Sequence, residues 1–171
     1  MRLAALAREN ISRAIALAVL FVASGTIAGA WTFQSMGYIP CELCLLGRVP
    51  FYTGIPLAAL TALAAHKGAA GLARGGLALL ALVFLVGAGI AVYHSGVEFH
   101  LWPGPTECSG ELTGALSPDD FLAQLKRVKP VRCDEPALLV FGLSLAAWEA
   151  VVSMGLAALA AWGWRRAEAR S

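Results

Sequence analysis

Apolar residues gather into four long blocks, separated by short breaks rich in polar residues, glycine and proline. The blocks cover about 14–33, 45–65, 72–93 and a stretch within 137–164. Each reaches or exceeds the roughly 20 residues that carry a helix across a bilayer. Lipid offers no partner to a free backbone group, so blocks this apolar are economical only as helices. The pattern predicts an all-α, integral membrane four-helix bundle, a single domain over 1–171. Its outer loops span about 34–44 and 94–145.

Two blocks admit a second reading. The first follows Arg2, Arg8 and Arg13 and contains Ala28-Gly29-Ala30, as a cleaved signal peptide would. Its apolar run is longer than the usual h-region of about 7–15 residues, which favours a retained span. The fourth is longer than one span needs and contains Glu149. A start near Ala146 puts Trp148 and Glu149 close to an interface, where both are cheaper. Residues 136–144 would then lie along the surface or fold partly back. Gly25-x-x-x-Gly29 reads as a helix-packing motif.

Composition supports the membrane class: 58 % of the 171 residues are hydrophobic and 14 % charged, too greasy for an ordinary soluble domain. Basic residues sit at span ends and form no nucleic-acid-binding face. Eight of the 13 Lys and Arg lie in the N-terminal flank, the loop with Lys67 and Arg74, and the C-terminus. The positive-inside rule therefore predicts both termini in the cytoplasm and all four cysteines outside. Most tryptophans fall where an interfacial belt is expected.

That sidedness changes the reading of the cysteines. On an oxidising face, disulfides are favoured over reduced thiols or metal. Cys108 and Cys133 fit either a structural bridge or a redox pair. Cys41 and Cys44 would close a very small ring, which stabilises little, so chemistry is the better reading for them. A zinc site using the four cysteines, or some of them with His94 or His100, is a weaker alternative. Arg48 follows Cys44 by one helical turn. A charge within a span costs about 2.5–3.5 kcal/mol unless something there uses it, although snorkelling to headgroups is open so near the interface. The helix N-terminus and Arg48 both favour an anionic sulfur at Cys44; Glu42 opposes a thiolate at Cys41. Pro50 suits a first helical turn if the helix begins near Leu46, and Pro56 reads as a kink. Between Cys108 and Cys133, Ser117, Pro118, Asp119 and Asp120 open a short amphipathic helix, read as lying on the membrane surface.

Pro40-Cys41-x-x-Cys44-x-x-x-Arg48 opens the second of four spans. Tyr93-His94, Leu101-Trp102-Pro103-Gly104-Pro105 before Cys108, Cys133 late in the long loop, and Gly142-Leu143 ahead of Trp148 complete a set that runs the length of the chain. This set resembles the DsbB family of disulfide bond formation proteins. The vitamin K epoxide reductase group matches less well, because its cysteine pair lies near the last helix of its bundle. The resemblance implies a bacterial inner-membrane oxidoreductase that reoxidises a periplasmic thioredoxin-like oxidase of the DsbA type and passes electrons to the membrane quinone pool, ubiquinone or menaquinone. It implies that Cys108 exchanges with the partner, that Cys133 resolves within its pair and communicates with Cys41, and that Cys44 meets the quinone ring. Arg48 would support the quinone, with His94 nearby. A non-enzymatic membrane protein with structural disulfides is the rival reading.

Overall fold

Each apolar block closes its own backbone hydrogen bonds as a helix, as hydrocarbon surroundings demand. The computed structural model describes residues 2–105 and 133–168, with side chains described for 10–105 and 133–167. Helix α1 runs Arg2–Ser35, α2 Glu42–His66, α3 Ala70–Glu98 and α4 Leu145–Glu168; strands β1 (Leu139–Val140) and β2 (Leu143–Ser144) precede α4. All four helices are long and apolar enough to cross a membrane. The surface helix expected from Ser117 onward, and Cys108 before it, lie outside the described residues.

Successive helices pack side by side, with α3 between α2 and α4 and α1 against α2 and α4. Small residues let them approach. A Cβ on Gly54 would lie 2.6 Å from the Phe84 ring, and one on Gly87 would lie 3.0 Å from Pro50. Phe84 is fully buried and meets Phe51 edge-on, with ring centroids 5.5 Å apart. Large apolar side chains point outward as well as inward: Phe21 is 72 % exposed, Leu60 64 % and Leu72 73 %. Such an outer surface suits lipid and would aggregate in water.

One local expectation changes, and one segment gains a definite form. Helix α2 begins at Glu42, with Cys41 as its N-cap, so Pro50 lies well inside the helix and not in its first turn. The physical reason is the cap: the Cys41 sulfur accepts from the Cys44 N–H, which starts the helix earlier than the apolar pattern does. The segment before α4 is a hairpin. Val140 pairs with Leu143 across Phe141 and Gly142, both at positive φ (52° and 80°), the geometry of a tight two-residue turn. Ser144 then caps α4, its Oγ accepting from the Ala147 N–H at 3.1 Å.

The C-terminal end of α3 is closed by its own continuation. Trp102 folds back and stacks on Tyr93 at 6.1 Å, and its Nε1 donates to the Tyr93 carbonyl at 2.8 Å. Gly96 makes this possible, because a Cβ there would occupy the indole ring's place.

Candidate functional site

The N-terminus of α2 holds the first pair of cysteines at one end of the bundle. Both are free thiols, and their sulfurs lie 3.1 Å apart. One helical turn separates them, so the chain brings them together without strain. Cys41 is buried and Cys44 partly so. The His94 Nε2 of α3 lies 3.6 Å from the Cys41 sulfur and 3.9 Å from Glu98 Oε1, one turn further along the same helix. The hydroxyl of Ser144, just before α4, lies beside Glu98.

This arrangement concentrates donors on Cys41. The hydrogen bond with the Cys44 side chain holds its thiol well below the ordinary thiol range, with further help from His94 and the Cys44 N–H, against the opposing effect of burial. The sequence reading placed electrostatic support on Cys44; the folded chain gives the cap amide and the imidazole to Cys41 instead. Capping geometry is the reason, since only the residue preceding the first turn presents its side chain to those amides.

Cys133, distant in sequence, packs in a small buried cluster with Cys41, Leu43 and Val97, against Cys44. It is 2 % exposed and disulfide-bonded. Three of the four sequence-selected cysteines therefore meet in one place, while Cys108 is outside the described residues.

Cys44 faces the other way, into an apolar cavity of about 470 Å³ between α1, α2 and the start of α4. That volume falls within the roughly 300–1,000 Å³ typical of small-molecule sites. Arg48, Gln34, Phe51, Trp148 and Glu149 line it with Cys44. Arg48 Nη1 donates to Gln34 Oε1 at 2.8 Å. Trp148 is fixed by a 2.9 Å bond from Nε1 to the Val140 carbonyl. Gly25 and Gly29 also line the cavity, and a Cβ on either would meet nothing within 4 Å. The motif read as helix packing instead forms an open wall of the cavity.

His94 is not among the residues lining this cavity; the fold sets it on the Cys41 side of the dithiol. Gln34, Glu98 and Glu149 were not singled out from sequence as site residues. Glu149 carried a signal, being a carboxyl within an apolar block. Gln34 and Glu98 lie at helix ends, where polar residues are ordinary.

The family model described as disulfide bond formation protein DsbB matches residues 12–163. No curated protein and no solved structure matches the chain. The match takes in all four spans and every residue of the site just described, so this chain belongs to the DsbB family, membrane oxidoreductases of disulfide-bond formation.

Proposed function

We propose that this chain is a bacterial inner-membrane thiol oxidase that reoxidises a periplasmic DsbA-type donor and passes the electrons to a membrane quinone. One observation carries the reading. Cys44 opens onto an apolar cavity beside Arg48, while Cys41, 3.1 Å away, borders the buried cluster of Cys133. One thiol of the pair thus borders the disulfide-bonded Cys133 and the other faces an apolar cavity.

In this reading the partner's thiolate attacks Cys108 and the Cys108–Cys133 bond breaks. The partner's second thiol resolves the mixed disulfide and leaves oxidised. The Cys133 thiolate attacks Cys41 in the oxidised Cys41–Cys44 pair, displacing Cys44, and Cys108 closes back on Cys133. Cys41 and Cys44 are left reduced. Thiolate attack on sulfur requires an anionic nucleophile and a stable leaving thiolate, and Cys41 has the donors to be the latter.

The cavity fits a quinone. Its walls are apolar, and the Arg48 guanidinium and the Gln34 amide can donate to ring oxygens. Bound there, the quinone supplies a two-electron, two-proton acceptor. Arg48 holds the developing negative charge without giving up its own proton.

A second reading is a metal centre. Cys41, Cys44 and His94 offer three donor atoms within 4.8 Å of one another, a set acceptable to zinc. The disulfide at Cys133, packed against the same sulfurs, favours the redox reading.

The test uses purified protein, a reduced thioredoxin-like partner and a soluble quinone analogue followed by absorbance. Quinone reduction should depend on the partner and stop in Cys44→Ser. Normal turnover by Cys44→Ser, or purification with stoichiometric zinc and no response to quinone, would overturn the proposal.

A further inference from the structure

Glu149 is a carboxyl within a membrane-spanning helix, set one turn into α4 and lining the cavity beside Cys44 and Arg48. Its Oε1 is buried and has no hydrogen-bond partner among the described residues. The fold makes room for it: a Cβ on Gly47, the residue before Arg48, would collide with the carboxyl oxygens. The ionisable groups facing it are Cys41, Cys44 and Arg48 from α2 and His94 from α3, with Gln34 of α1 on the same cavity wall. Arg48 acts on the carboxyl through its charge, while its Nη1 donates to Gln34 Oε1 and no hydrogen bond reaches Glu149 Oε1. An unpaired acceptor beside a thiol, in a water-poor cavity, suits proton transfer.

We infer that Glu149 is the proton-transfer residue of the quinone-reducing step, a role that rests on the oxidase reading above. Cys41 as thiolate and Cys44 as thiol hold one proton between them. When they become a disulfide, the sulfur–sulfur bond forms, two electrons go to the quinone and the Cys44 proton is released. The Glu149 carboxylate accepts that proton and delivers it to a quinone oxygen. The second proton of the quinol comes from water at the outer surface, so the step balances at two electrons and two protons. Gly47 acts through Glu149 as a positioning residue, by leaving the carboxyl its place.

Two measurements test this. Infrared difference spectra between oxidised and dithiothreitol-reduced protein, recorded without quinone, should contain a carboxyl C=O band that disappears in Glu149→Gln. Rapid mixing of the reduced protein with a soluble quinone analogue should show electron transfer slowed by about 100-fold in Glu149→Gln, with loss of an inflection in its pH profile. Glu149→Asp should recover part of the rate. Gly47→Ala should slow the same step while its helix stays intact. Exchange with the reduced partner, which does not use the cavity, reports that each variant is folded. Wild-type protein that reduces the analogue while Glu149→Gln keeps pace, or a carboxyl band unmoved by the substitution, overturns this role and leaves the oxidase reading standing. Wild-type protein that leaves the analogue oxidised overturns both.

Discussion

The sulfur of Cys41 gathers the cap amide of Cys44, the Cys44 side chain and the His94 ring. All three favour the thiolate, and the Cys44 hydrogen bond contributes most. A thiol whose titration is lowered in this way stays ionised above its shifted value and is protonated only as pH falls through it. The reduced protein should therefore show thiolate ultraviolet absorbance persisting into the acid range, in the low-pH step of the coupled dithiol titration. His94→Ala should move that step upward. An unmoved step would mean that the imidazole contributes nothing to the charge. Arg48 makes a separate prediction. Loss of a charged hydrogen bond costs about 1.5–3 kcal/mol, so Arg48→Ala should weaken apparent quinone affinity by about 10- to 100-fold. Partner exchange, measured alone, should change far less; equal loss in both steps would refute the role given to Arg48.

At the scale of elements, the site depends on where helices begin. Cys41 caps α2 and Ser144 caps α4, and the Ser144 hydroxyl also lies beside Glu98, which faces His94. Ser144→Ala removes a cap worth about 1 kcal/mol and the hydroxyl that lies beside Glu98. It should lower the unfolding temperature in detergent slightly and shift the Cys41 titration; a loss of stability with an unchanged titration would separate Glu98 from the thiol. Deeper in the bundle, Phe84 is held by Phe51 and Gly54. Phe84→Ala should cost about 3–5 kcal/mol in reversible unfolding, a loss to be read by denaturant titration in mixed micelles. Pro50 within α2 is tolerated because Gly87 of α3 packs directly against its ring, replacing with contact what the missing N–H removes.

The proposed function gives the whole molecule one direction across the membrane. Eight of the 13 basic residues fall at one end by sequence, including Arg74 over Trp164 at 5.7 Å and Arg166 over Trp162 at 5.3 Å. The dithiol lies at the opposite end. The proposed orientation predicts that, in intact spheroplasts, a membrane-impermeant thiol reagent labels the reduced protein, while a tag at either terminus is reached by protease only after lysis. Labelling confined to lysed cells would reverse the topology.

The four helices were legible in the chain because lipid makes length and apolarity sufficient: an uninterrupted block of about 20 residues has no other stable form there. The cysteine pair and Arg48 were legible for a related reason, since one helical turn fixes their neighbourhood without any tertiary contact. Contacts across the bundle were not legible. Nothing in the spacing of Cys41, His94 and Cys133 brings them together; the packing of α3 on α2 and of Cys133 against both does so. The sequence reading put Glu149 near an interface, yet its place beside Cys44 depends on Gly47, on α2, leaving space that only docking of α4 can fill. Local rules act over a few residues and can be read from the chain, whereas the division of labour between the two sulfurs is set by neighbours that only the folded bundle supplies.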